Sequence, residues 1–325
     1  MQTVGIIGEE IEQIRRRVRA ADYLTVAQLF LQSNFLLERP LEFSDIKPRL
    51  LGHWGTCHGI NVVYANLHHF YRNFRAGSDL QFILGPGHGF PALNANLFLD
   101  GELAKVDKKA TKNLSGIEYL CRNFSAPFGF PSHASPLTPN VIVEGGELGY
   151  ALGAAFGAAL GHPEKTVAVL LGDGEFETGS TLASLNLIKL IDGSTNGQVL
   201  PILHANGYKI SGPTVFARKS AREQNEMLRG FGFEPVVIEN DGPSKWQIAL
   251  EKCLNLTHPF IIFKSEKGET GPVEVAGQKV RGNYASHQIP LPLAKSDKEQ
   301  LAILEEWLQS YHFSELYTEG KGFNL

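Results

Sequence analysis

The chain has 325 residues, 43% of them hydrophobic, and a formal net charge of −4 at pH 7. That is enough apolar material for one large core or two modest ones. With no long basic run, the composition excludes nucleic acid and an anionic membrane surface as expected partners.

The opening stretch, MQTVGIIGEEIEQ, lacks a basic start and meets Glu9 and Glu10 too early for a secretory signal. Cys57, Cys121 and Cys253 form no CxxC pair and no even framework, which fits a reducing compartment. The expected location is therefore the cytoplasm. Residues 10–35 read as an amphipathic helix followed by a polar turn, with Arg15-Arg16-Arg17 on the solvated face of the helix. SDIKPRLLGHWGTCHG reads as irregular, and INVVYANLHHFYRNF as the helix that follows it. Five short apolar runs come next, each ending in turn residues: DLQFILGPGHG, TVAVLLGDGE, VLPILHANGYKISGP, FEPVVIENDGPS and PFIIFKSEKGETGP. Helices are predicted at 92–99, 147–160, 180–191, 219–230 and 244–255. Continuous rather than alternating strands, interleaved with helices, predict an α/β, doubly wound, mostly parallel sheet with helices on both faces. LGYALGAAFGAALG is too short and glycine-rich to span a bilayer. After residue 267 the chain turns polar and reads as an arm, with one amphipathic helix near 297–310.

In such a sheet, ligands bind beyond the carboxyl ends of the strands, where these glycine-rich loops fall. Asp173, a hard carboxylate between Gly172 and Gly174, suits Mg²⁺ holding a phosphate. Asn206 and the Tyr208 carbonyl, at the next strand end, offer further oxygens. A helix starting near Thr178 would aim its N-terminus at the same place. No GxxxxGK[ST] is present, and EGGELGYALG departs from GxGxxG. Gly149, Gly153, Gly157 and Gly161 predict a bare helix face for close packing. His53, His88, His133, His204 and His287 all lie in loops rich in Gly, Pro or Ser. Several of them meeting in one crevice would suit repeated proton transfer near neutrality.

KPRLLGHWGT, GPGHGFPAL, EGGELGYALGAAFGAA, GDGEFETG, LPILHANGYKISGPTVFAR and SHQIPL together resemble the N-terminal part of the phosphoketolases, over roughly residues 20–315. That resemblance implies a thiamin diphosphate-binding fold, with thiamin diphosphate and Mg²⁺ as cofactors. It implies cleavage of a ketose phosphate by inorganic phosphate to acetyl phosphate and a shortened aldose phosphate. Asp173, Asn206 and the Tyr208 carbonyl match the metal ligands. Gly172, Gly174 and Glu175 match the turn around the diphosphate, and Gly146, Glu147 and Leu148 the loop along the cofactor. His53, His88, His133 and His287 match the active-site histidines. His88 and His133 are assigned the proton transfers, and His53 and His287 substrate binding and protonation.

Two positions depart from the family pattern: Val143 stands where a histidine is usual, and Glu269 where a tryptophan is usual. The division expected is a diphosphate-binding domain at 1–267 and a linker or arm at 268–325 toward an absent pyrimidine-binding domain. The missing domain would carry the glutamate that protonates the aminopyrimidine. The expected partner is then a separately encoded pyrimidine-domain chain, a second copy of this chain, or both. The competing expectation is a non-catalytic remnant or truncated domain. A transketolase or keto-acid dehydrogenase subunit is disfavoured by HWGT, GPGHG and SHQIPL.

Overall fold

The computed structural model describes residues 8–75, 79–239 and 242–325. The expectations at residues 1–7 and at the Asn240-Asp241 turn lie outside these residues. Two compact units are present. The first comprises Gly8–Ile11, Asn66–Gly87 and Ala134–Glu266, and the second Glu12–Ala65, His88–His133 and Lys267–Leu325.

The first unit contains the sheet. Its strands are β1 (Asp79–Leu84), β2 (Lys165–Gly172), β3 (Gln198–Ala205), β4 (Glu234–Ile238) and β5 (Pro259–Lys264), in the order β1-β2-β3-β5-β4 with every ladder parallel. This is the doubly wound α/β architecture that the continuous apolar runs predict. β2 and β3 are buried along nearly their whole length, whereas the edge strand β4 alternates. Val167, Val169, Leu171, Val199, Leu203, Phe260 and Ile262 pack with Leu152, Ala155 and Phe156 of helix Ala151–Ala159. Each Val, Leu, Ile or Phe side chain among them contributes about 1.5–3 kcal/mol on leaving water. The register that sets Gly172 beside His204 brings the ends of β2 and β3 level.

Local chemistry explains where the helices begin and stop. Ser220 caps Ala221–Phe231 in a capping box with Glu223, and Gly232 ends it in the left-handed region. Two expectations need correcting. The helix predicted at 147–160 begins only at Ala151, because Gly149 has φ +102°. The one predicted at 180–191 is helical over Gly179–Ser184 and tightens to a 3₁₀ turn over Leu185–Leu190. The glycine repeat is a close-packing face in its first half only. A Cβ on Gly149 would lie 2.2 Å from Ser180 Oγ and one on Gly153 3.2 Å from Ser184 Oγ, whereas Gly157 and Gly161 face open space, Gly161 beyond the helix at positive φ.

The second unit is helical, built on the parts of Gly8–Phe30 from Glu12 and of Cys57–Phe74 up to Ala65, with Phe90–Asp100, Leu114–Asn123 and Lys298–Gln309. Leu114–Asn123, absent from the sequence-based reading, is capped by Asn113, whose side chain accepts from Gly116 N. Buried polar groups link the first three helices. Asp22 accepts from Asn61 at 2.7 Å and lies 2.7 Å from His58 Nδ1, and Asn96 donates to Asn61 at 2.7 Å. Residues 298–317 bring Leu304, Trp307, Leu308 and Leu316 into the core, and Phe313 stacks on Tyr23 at 3.9 Å. Among the described residues no helix is long and apolar enough to cross a membrane, and the three cysteines are buried and free.

Candidate active site

In the first unit the expected ligands gather at the ends of β2 and β3. Asp173 opens a short helical turn, Asp173–Phe176, directly after β2. It is 2% exposed, and its carboxylate accepts from Gly207 N at 2.6 Å and Asn206 N at 3.3 Å. Gly207 has φ +87°, and that bend presents the two amides to Asp173. Asn206 is buried and its Oδ1 accepts from Tyr208 N at 3.1 Å. A carboxylate is a hard oxygen donor of the kind that Mg²⁺ takes. No group of three or more His, Cys, Asp or Glu side chains is placed to hold a metal among the described residues. An ion here would rely on the Asp173 carboxylate, the Asn206 amide oxygen and the Tyr208 carbonyl. Those are hard oxygens, and they fit Mg²⁺.

The turn after Asp173 carries two more glutamates with separate tasks. Glu175 is 3% exposed and accepts from Gly149 N at 3.3 Å and Gly172 N at 3.4 Å. Burial pushes its carboxyl up to about 7, against the backbone amides of Gly149, Gly172 and Ala151. Glu177 accepts from Val215 N, from Phe216 N at 3.1 Å and from Lys209 Nζ at 2.8 Å. Burial works to raise the Glu177 carboxyl, but Lys209 and the two amides overcome it and hold it below the usual range. Gly146, Glu147 and Leu148 are exposed, in the loop leading to Gly149.

The same unit fastens two histidine-bearing loops at their glycines. Ala134 N donates to Gly87 O at 3.0 Å and Gly145 N to Ala134 O at 2.8 Å. A Cβ on Gly87 would lie 2.1 Å from Gly145 Cα, so the contact requires glycine. His88 and His133 are the chain neighbours of these residues.

In the second unit His53, His88, His133 and His287 form one cluster with His53 at its centre. Its ring centroid lies 5.1 Å from His88, 5.4 Å from His133 and 5.2 Å from His287, and His88 lies 4.7 Å from His287. His53 and His287 meet because their loops are laced together. Gly268 N donates to Gly55 O at 2.8 Å, Trp54 N to Gln288 O at 3.3 Å, and Trp54 Nε1 to Gly268 O at 3.4 Å. His204 is elsewhere, in β3, bonded to Ser265 Oγ at 2.6 Å and stacked on Phe263.

Burial, reinforced by His133 and Lys267, lowers the His53 imidazole to about 4. Burial and then Lys267 and His53 lower His287 to about 3. His88 is also lowered, by burial first and then by His287, His53 and Lys267. All three shifts hold the rings neutral at pH 7. His53 Nδ1 is buried and makes no hydrogen bond among the described residues.

Lys267 is the member that sequence reasoning missed. It is 2% exposed, with Nζ 3.3 Å from His287 Nδ1. Its signal was a lysine in the turn SEKGETG, leading toward ASHQIP.

The sequence matches the family model described as the XFP N-terminal domain over residues 6–256 and 245–324. A probable phosphoketolase from Rhodopseudomonas palustris is 43% identical, over 92% of this chain and 40% of that protein. One from Pseudomonas putida is 42% identical, over 95% of this chain and 42% of that protein. This chain thus spans about 40% of the length of these curated relatives. Among solved structures, transketolase from Leishmania mexicana superposes with a TM-score of 0.62 at 16% identity, covering 94% of this chain and 45% of that one. The Campylobacter jejuni transketolase gives 0.59 at 18% identity, covering 95% and 49%. At that identity the structural likeness concerns the fold alone. The sequence match over nearly the whole chain goes further, and by it the chain belongs to the XFP N-terminal domain family.

Proposed function

We propose that this chain is the diphosphate-binding half of a phosphoketolase, a carbon–carbon lyase that cleaves a ketose phosphate with inorganic phosphate to acetyl phosphate and an aldose phosphate. The observation that carries the reading is the histidine cluster, with the His53 ring centroid 5.1 Å from His88, 5.4 Å from His133 and 5.2 Å from His287.

Asp173, Asn206 and the Tyr208 carbonyl would hold Mg²⁺, with Gly146, Glu147, Leu148, Gly172, Gly174 and Glu175 lining the diphosphate. Bound thiamin diphosphate would supply the electron sink that carbon–carbon cleavage needs. His88 and His133 would move protons at the substrate hydroxyls, and His53 and His287 would bind the sugar and assist protonation. Lys267 disfavours a proton on His287 and His53, which keeps both rings as neutral hydrogen-bonding partners for the sugar. Residues 268–325 would lead toward a pyrimidine-binding domain, supplied by a separate chain or by the rest of a longer protein. The chain would work in the cytoplasm, where its sugar-phosphate substrates are found, and could pair with a second copy of itself.

The direct test is calorimetric titration of thiamin diphosphate in the presence of Mg²⁺. Weak uptake is expected, lost in Asp173→Ala and on removing Mg²⁺. Tight binding indifferent to that substitution contradicts the metal assignment.

A further inference from the structure

The turn GDGEFE does more than carry Asp173. Three carboxylates leave it, and each ends on backbone amides of a different segment. Asp173 takes Asn206 N and Gly207 N. Glu175 takes Gly149 N and Gly172 N, with Ala151 as its further amide donor. Glu177 takes Val215 N, Phe216 N and the Lys209 ammonium. The loop that ends β1 is packed onto the same hub, since a Cβ on Gly85 would lie 2.1 Å from Glu175 Oε2. Gly149 is equally confined: its own Cβ would lie 2.2 Å from Ser180 Oγ and 2.3 Å from Thr178 Oγ1.

We propose that Glu175 and Glu177 are positioning residues for the diphosphate site. Glu175 would fix the Gly146–Leu148 loop against the Gly172–Gly174 turn, and Glu177 would fix the segment 207–216 that follows Asn206. The inference rests on the diphosphate reading above and assigns the Glu175 side chain a task distinct from touching the cofactor. Its physical basis is the cost of burying a carboxylate, which is offset only when donors surround it. At Glu175 every such donor is a backbone amide, so the side chain is oriented by the loops and orients them in return. Such outer partners of a ligand set govern affinity without touching the ligand. The two glutamates act on separate segments, and that separation is what an experiment can resolve.

The test compares wild type, Glu175→Gln and Glu177→Gln by amide hydrogen exchange and by calorimetric titration with inorganic pyrophosphate and Mg²⁺. Glutamine keeps the shape of glutamate but turns an N–H donor toward an amide donor. Glu175→Gln is expected to lose protection at Gly149, Ala151 and Gly172 and keep it at Val215 and Phe216, with Glu177→Gln the reverse. Each is expected to weaken Mg²⁺–pyrophosphate binding by about 10–100-fold, with protection in β2, β3 and β5 unchanged. Local loosening with undiminished pyrophosphate affinity would make the glutamates structural fasteners only. Loosening of the same segments in both variants, or of the whole sheet, would overturn the division of labour. A wild-type chain that takes up no Mg²⁺–pyrophosphate overturns the diphosphate reading, while the exchange pattern still decides what the glutamates hold.

Discussion

Replacing Lys267 by methionine removes the cation beside the histidine cluster and keeps the length of the side chain. Lys267 Nζ lies 3.3 Å from His287 Nδ1. At that range two unit charges interact by about 1 kcal/mol in a water-like dielectric and about 5 kcal/mol at an effective value of 20. His287 is partly exposed and an imidazolium spreads its charge over the ring, so the lower part of that span applies, about 1–2 kcal/mol. The pKa of His287 should therefore rise by about one unit from its value of about 3. Burial, its largest cause, is untouched, so the ring should not return to the ordinary 6.5. His53, which feels Lys267 less than it feels burial and His133, should rise by a smaller amount. Nitrogen-detected NMR titration of the imidazoles from pH 2.5 to about 8, in wild type and variant, reads both shifts. An unchanged or lowered His287 pKa would refute the reasoning, since no loss of a neighbouring cation can make protonation harder.

Acid should destabilise the fold through the same histidines. Between pH 6.5 and about 4 the unfolded chain binds a proton at His53 that the folded chain refuses, and for His287 the window runs from 6.5 to about 3. The stability is full above 6.5 and is lost as pH falls, by at most about 1.4 kcal/mol per pH unit for each ring, and by less where solvent screens the site. Urea unfolding at pH 7 and pH 5 checks this, and His53→Gln should flatten the dependence. Gly149→Ala places a side chain at φ +102° against Ser180 and Thr178 and should cost more than about 1 kcal/mol in urea unfolding. Gly157→Ala, in the interior of a helix with open space around it, should instead stabilise by about 0.5–1 kcal/mol.

The sheet was legible because β2, β3 and β5 are buried along their length, and burial on both faces writes an unbroken apolar run into the chain. Once Asp173 and Asn206 are placed at successive strand ends, parallel pairing of β2 with β3 brings them together. The histidines were legible one by one as loop residues. Their meeting was not, because it depends on laces such as Gly268 N to Gly55 O that join positions far apart in sequence. Lys267 escaped for a related reason: a lysine in a glycine-rich turn looks solvated until the rest of the unit closes over it. The four-residue spacing of Gly149, Gly153, Gly157 and Gly161 was half right: the first two pack against Ser180 and Ser184 and the last two do not, because spacing cannot tell which turns of a helix meet a neighbour. The core contribution of Trp307, Leu308, Phe313 and Leu316 was muted by the polar residues between them, and Leu114–Asn123 by its brevity and its charged face.

The central claim is that this chain supplies one half of a phosphoketolase site, and acetyl phosphate formation from xylulose 5-phosphate and inorganic phosphate tests it most directly. The assay is run with Mg²⁺ and thiamin diphosphate on the chain alone and then on the chain mixed with a pyrimidine-domain chain from the same source. The account predicts silence from the lone chain and acetyl phosphate from the mixture, abolished by Asp173→Ala. Activity from the lone chain would contradict the division of the site between two domains, and silence from the mixture would contradict the proposed function itself.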